Sequence, residues 1–268
     1  MESHEEATSE SAHTTAYLQG TLFLHRGHFE GALRCFEAAL NEEAARGNSP
    51  RLVEILVSLA NVNAIMGERE KARALYQRVL ELQRQAPDAR TVGLTLCNLG
   101  NLSRELGEPE RARSYYLEAA EFLDGAGDER SMGIVQSNIG LLEEDLGNLE
   151  RAAAFFKKAI DLHKKTGYEE GLAATWGQLG RNLLRQGNGR DAETCFNHAC
   201  AHFSRLGDST GEAEALRGLA DVFEARNERD LACRCIRRAI EVHERLGLPV
   251  SRFDIERLEK LRGESAAG

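Results

Sequence analysis

The sequence predicts an all-α fold: a right-handed α-solenoid of six helix-turn-helix repeats closed by a C-terminal capping helix. Three observations carry that reading. Ala32, Ala72, Ala112, Ala152, Ala192 and Ala232 recur every 40 residues without a slip. A large column (Phe36, Tyr76, Tyr116, Phe156, Phe196, Ile236) and a small one (Gly20, Ala60, Gly100, Gly140, Gly180, Ala220) keep the same step. Within each period, apolar residues return at three- and four-residue intervals on both sides of Gly27, Gly67, Gly107, Gly147, Gly187 or Asn227. That is the pattern of two amphipathic helices joined by a tight turn. Units that recur at such a period bury their apolar faces against one another.

Six units fill roughly residues 13–47, 48–87, 88–127, 128–167, 168–207 and 208–247, with Gly47, Pro87, Gly127, Gly167, Gly207 and Gly247 at the boundaries. The stretch CNLGNLSRELGEPERARSYYLEAA, residues 97–120, shows the internal logic. A first helix runs to Leu106; Gly107 suits a left-handed C-terminal cap, Glu108 an N-cap, and Pro109 the first turn of the second helix. Gly100, costly inside a helix, is expected to let its partner helix approach at Ala112, with Tyr116 and Leu99 filling the space beside it. After Gly247 and Pro249, SRFDIERLEKL is expected to form the cap over 248–262. Its Ser251 and Asp254 stand at capping-box-like spacing, and Phe253, Leu258 and Leu261 are expected to face one side. Residues 1–12, acidic and serine-rich, and 263–268 are expected to be disordered tails.

Composition narrows the function. The 268 residues are 42% hydrophobic and 29% charged, with 4 prolines and a net charge of −9. A chain that neutralised phosphates would be basic, so nucleic acid is excluded as the expected partner. No stretch approaches the roughly 18 apolar residues that span a bilayer. Six cysteines scattered through a large helical chain read as reduced thiols, and the protein as cytoplasmic.

The pattern LxxLGNLxxxLGxxxxAxxxYxxA, with WGQLGRNLLRQGNGRDAETCFNHA at 176–199 as another copy, resembles the tetratricopeptide repeat (TPR). The 40-residue period with Gly-Asp boundaries is similar to the longer-helix version in Pins/LGN-like adaptors and kinesin light chains. The resemblance covers about nine-tenths of the chain. It implies a TPR superhelix whose first helices line a concave side, used as a binding scaffold.

No GxxxxGK[ST], GxSxG, HExxH or paired CxxC is present, so neither an enzyme nor a cofactor is expected. Cys195, His198 and His202 share a helical face and could in principle hold zinc. The repeat register instead puts Cys195 and His202 in packing columns, and no metal is expected. Lys157, Lys158, Lys164 and Lys165, and Arg229, Arg234, Arg237 and Arg238, form basic strips on second helices. Such strips read as solvated outer faces.

Partner-binding residues are expected on first helices: Asn61, Asn98, Asn101, Arg104, Asn138, Leu141, Gln178, Arg181, Arg185 and Arg217. An amide both donates and accepts, as a peptide backbone requires. The same amides could instead bond neighbouring helices or water, and both readings stand. In Pins-like adaptors the resemblance implies an asparagine ladder, with arginines selecting acidic side chains. Arg181 and Arg185, at i and i+4, are the favoured anchors for an acidic residue. The expected function is a protein-interaction adaptor that binds an extended or helical, acidic segment of another protein. The alternatives are a regulatory sensor for a signalling peptide or small ligand, or an accessory subunit gating a partner enzyme. The uncapped first repeat leaves room for homo-oligomerisation.

Overall fold

The computed structural model describes residues 15–44, 50–83, 88–245 and 247–263, and every regular element among them is an α-helix. The chain forms two compact units, Met1–Gly127 and Asp128–Gly268. The first holds α1 (15–25), α2 (Phe29–Ala44), α3 (Pro50–Ile65), α4 (Arg69–Gln83), α5 (Ala89–Glu105) and α6 (Pro109–Gly125). The second holds α7 (Glu129–Asp145), α8 (Leu149–Thr166), α9 (Glu169–Arg185), α10 (Gly189–Leu206), α11 (Ser209–Ala225), α12 (Arg229–Arg245) and α13 (Arg252–Arg262). In each unit, odd and even helices pair as hairpins and each hairpin packs on the next. Of the tails expected at 1–12 and 263–268, only Gly263 is among the described residues, as the left-handed cap of α13. No helix is long and apolar enough to cross a membrane among those residues.

The columns read from the sequence are the core. All six alanines are fully buried, and Phe36, Tyr76, Tyr116, Phe156, Phe196 and Ile236 are no more than 2% exposed. The small column makes room for the large one. A Cβ added at Gly100 would lie 2.4 Å from Tyr116 Cε1, and at Gly140 2.6 Å from Phe156 Cε1. Glycine's cost in these helices is offset by the ring that occupies the missing side chain's place.

The turns repeat as the sequence requires. Gly107 adopts φ +74°, and the N–H of Glu108 bonds the Ser103 carbonyl at 2.8 Å, closing α5. In the sixth unit Asn227 takes the left-handed role at φ 61°. Aspartates start three first helices: Asp88, Asp128 and Asp208 accept from the N–H groups of Thr91, Ser131 and Gly211 at 3.1, 3.0 and 2.9 Å.

Two expectations about caps are corrected. Pro109 opens α6, but Glu108 makes no side-chain cap bond. Its carboxylate accepts from Arg73 at 3.0 Å and Arg111 at 2.8 Å, two guanidinium groups that outbid a single amide. Ser251 and Asp254 form no side-chain capping box either. Asp254 is 1% exposed and turned inward, where Arg217 Nε and Nη2 of α11 donate to it at 2.9 and 2.7 Å. Leu258 and Leu261 pack on the core of the last hairpin, whereas Phe253 points outward at 63% exposure.

His163 on α8 is 1% exposed, edge-on to Tyr168 at 5.2 Å, and its Nδ1 has no partner. Burial, with Arg130 nearby, holds its imidazole down to about 4.

Gly100→Ala should therefore lower the urea midpoint, its ring clash costing about 1–3 kcal/mol. Gly177→Ala, in the interior of α9 where an added Cβ meets nothing within 4 Å, should raise stability by about 0.5–1 kcal/mol. The same substitution thus has opposite signs at two helical glycines. For His163 the unfolded imidazole takes its proton near pH 6.5 and the folded one only near 4. Stability should be level above about pH 6.5 and fall as the pH drops toward 4, by on the order of 2–3 kcal/mol. His163→Leu, matching Leu123 one repeat earlier, should flatten that slope in chemical denaturation across the same range.

Candidate partner-binding faces

In the first unit the expected site residues lie on α3 and α5. Asn101 Oδ1 accepts a hydrogen bond from the Tyr116 hydroxyl at 2.7 Å, and Asn61 Oδ1 accepts from the Tyr76 hydroxyl in the same way. Arg104 interacts with the same Tyr116 hydroxyl. Burial pushes both phenols well above their ordinary value, so each remains a protonated donor. Both asparagines thus bond the neighbouring helix of their own hairpin. Asparagine stands where the large column carries tyrosine; beside Phe36, Phe156, Phe196 and Ile236 the same position holds Thr21, Leu141, Arg181 and Asp221. That pairing at a separation of 15 residues was visible in the sequence and is its physical reason.

Each of these oxygens has one of its two acceptor sites taken by the chain's own hydroxyl, and the NH2 end takes no part in that bond. Asn98, half-buried one turn before Asn101, completes the α5 face.

The second unit has a related arrangement on α7 and α9. Ser137 Oγ donates to Gln178 Oε1 at 2.5 Å and lies 3.4 Å from Thr175 Oγ1. Gln178 is thereby the third amide whose oxygen is tied to a hydroxyl. Asn138 is half-buried, and Leu141 packs partly against the core.

The arginines divide. Arg181 is exposed with no ion pair or hydrogen bond recorded among the described residues. Arg185, expected as its twin anchor, is paired with Glu144 Oε1 at 2.5 Å, one repeat back. Arg217, also expected to be available, is committed to Asp254, whose carboxylate would otherwise be buried without a counter-charge. Spacing within one helix placed these groups on a shared face, but their partners sit a full repeat away. The sequence reading also missed Arg257 of α13, which bridges Asp221 and Glu224 at 2.6 Å each.

On the second helices, Lys165 pairs with Glu129 and Arg238 with Glu212 at 3.0 Å. Lys164 Nζ sits 5.2 Å from the Trp176 ring centroid. Cys195, His198 and His202 are engaged separately. Cys195 is buried, His198 stacks on Trp176 at 4.6 Å, and His202 Nδ1 lies 2.7 Å from Glu169. No cluster of three metal-ligating side chains occurs among the described residues.

Comparison with known proteins agrees with this architecture. A family model described as tetratricopeptide repeat matches residues 51–125, 91–165, 131–204 and 171–245. No curated protein matches the sequence. Among solved structures, BtubC (BKLC) from P. vanneervenii is 18% identical, with a TM-score of 0.66 over 91% of this chain and 95% of that one. The putative kinesin light chain repeats of Podosopora anserina are 14% identical, with a TM-score of 0.61 over 75% and 99%. A STAND protein with a tetratricopeptide repeat sensor, PH0952 from Pyrococcus horikoshii, is 15% identical, with a TM-score of 0.75 over 97% of this chain and 40% of that one. At such identities the likeness is one of fold. With the family model matching most of its length and the alanine and large columns buried in all six repeats, the chain belongs to the tetratricopeptide repeat family.

Proposed function

We propose that the chain is a non-catalytic protein-interaction scaffold whose first-helix face binds an extended or helical segment of a partner protein. The observation that carries this reading is the amide arrangement. Asn61, Asn101 and Gln178 each have their oxygen held by a hydroxyl of the chain, which leaves their NH2 ends to meet backbone carbonyls or carboxylates. Arg181, exposed and without an acid of its own, suits an acidic side chain in that segment. Arg185 contributes less, since Glu144 already competes for it. Six free cysteines fit a reducing compartment, the cytoplasm. A sensor role is the second reading, favoured by the likeness to a protein whose tetratricopeptide repeats are described as a sensor.

Leu18 and Leu22 on α1 are 60% and 49% exposed. The Leu22 column is buried in later units, at Val62, Leu102, Leu142 and Val222. An apolar position that later units bury and the first leaves open suits pairing with a second copy.

The main test is photo-crosslinking from the native cell with a reactive residue replacing Asn98 or Gln178, compared with one replacing Glu118 on a second helix. Capture of one partner from the first-helix positions alone is the expected result, and capture only from position 118 would overturn the reading. Against the captured partner, Asn101→Asp keeps the acceptor for Tyr116 but removes the donor. It should weaken binding about three- to tenfold with helicity unchanged. Arg181→Glu should weaken it by a similar factor and reduce its salt dependence. For self-association, light scattering should show a mass that rises with concentration and returns to the monomer in Leu18→Glu; a monomer throughout would remove that part.

A further inference from the structure

A cleft of about 500 Å³ opens between the turn that joins α9 to α10 and the end of α11, within the second unit. Leu184, Val222 and Ala225 give it an apolar floor. Arg190 and Arg226 are the charged residues on its wall, which carries no acid. Arg190 and Ala225 are exposed and Leu184 is half-buried, so the space is open to solvent. No ion pair of Arg190 is recorded among the described residues.

Two departures from the repeat meet at this cleft. Every other second helix carries an acid as its second residue, Glu30, Glu70, Glu110, Glu150 or Asp230, and α10 alone carries an arginine there. The helix dipole favours an acid in the first turn and disfavours a cation, so Arg190 stands against the electrostatics of its own helix. The neighbouring Asp191 is held by Asn188 Nδ2 at 2.6 Å and is not part of the wall. Gly189 is the second departure, since its column elsewhere holds Phe29, Arg69, Pro109, Leu149 and Arg229. A Cβ on Gly189 would stand 3.4 Å from Arg226 Nε and 3.7 Å from Nη2. The two-pronged edge of that guanidinium therefore faces the space that the glycine leaves. Glu193, outside the wall, accepts from Nη1 at 2.7 Å and fixes the group in place. Nη2 is buried with no hydrogen-bond partner, so the chain itself does not satisfy the edge that faces Gly189.

We propose that this cleft is a binding site for a phosphate monoester. The phosphate sits beside Gly189, with two oxygens on the Nε and Nη2 edge of Arg226 and its remaining charge met by Arg190. The organic group of the ester lies on Leu184, Val222 and Ala225. Glu193 offsets part of the charge of Arg226, so Arg190 supplies the excess that draws an anion in. A monoester brings a charge near −2 and three acceptor oxygens, which suits two guanidinium groups better than the single charge of a carboxylate. Apolar surface with a few convergent polar groups is the usual form of a small-ligand site. The proposal is independent of the first-helix face, and neither depends on the other.

The full chain is titrated calorimetrically at about pH 7.5, where a monoester is doubly charged, with phenyl phosphate, inorganic phosphate and benzoate. Phenyl phosphate should bind saturably and at least about tenfold tighter than benzoate, more weakly as salt rises. Arg190→Glu restores the acid that the other repeats carry. It should leave the thermal midpoint unchanged or raise it, and weaken phenyl phosphate by about tenfold or more. Gly189→Ala sets a methyl group against the Arg226 edge and should weaken binding about threefold or more with the circular dichroism unchanged. No saturable binding at millimolar phenyl phosphate would overturn the proposal, as would benzoate binding as tightly or Arg190→Glu binding as well as the parent chain. Inorganic phosphate binding as tightly as phenyl phosphate would remove the ester and leave a site for the free ion. The capped peptide Ala-Ala-pTyr-Ala-Ala separates two sources of the same chemistry: tighter binding than phenyl phosphate supports a phosphorylated side chain of a partner, and equal or weaker binding supports a small free ester.

Discussion

The contact between a missing side chain and a ring sixteen residues later is the constraint from which the rest of the structure follows. Gly100 against Tyr116, and Gly140 against Phe156, let paired helices come closer than any larger residue permits. Crossing at that point aligns the alanine column and fixes which side chains face the partner helix. Once the ring is in place its far end must be dealt with. A phenylalanine ends in apolar contact, whereas a tyrosine brings a hydroxyl that needs an acceptor, and Asn61 and Asn101 supply it. The placing of Asn61 and Asn101 in the first unit is thus a consequence of core chemistry in the paired helix.

Most of the fold was legible because its determinants are periodic. A residue buried six times at one step of 40 announces itself without any knowledge of contacts. The caps were legible where one residue type does one job, as at Gly107 and Asp128. They were misread where a carboxylate had a choice: Glu108 and Asp254 both sit at plausible capping positions, and both are claimed by arginines from another helix. Competition of that kind depends on distances between hairpins, which spacing along one helix does not contain. Phe253 was misjudged for a related reason. The last helix has no further repeat to fix its register, so its apolar residues could be counted but not oriented.

The candidate site was legible as a face more than as a set of free groups. Its ten residues were chosen because they line up on first helices. The face turned out to hold two different populations: Arg185 and Arg217 spend their charge inside the chain, and Arg181 does not. Two residues at equivalent repeat positions, such as Arg181 and Asp221, differ again, the latter held by Arg257 of the terminal helix. Equivalence of position is therefore weak evidence for equivalence of role once side chains are long enough to reach a neighbouring repeat.

The hydroxyl-to-amide bonds have a consequence for the kind of chain that such a face can tolerate. A tyrosine hydroxyl that donates to an amide oxygen takes one of its two acceptor sites and fixes which way the amide is turned. Proline lacks an N–H but keeps its carbonyl, so an amide N–H can bond it as it bonds any other residue. Its locked φ also means that less freedom is lost on binding. An amide whose orientation the core already fixes has less freedom to lose when it meets the carbonyl of any ligand, whatever residue carries that carbonyl.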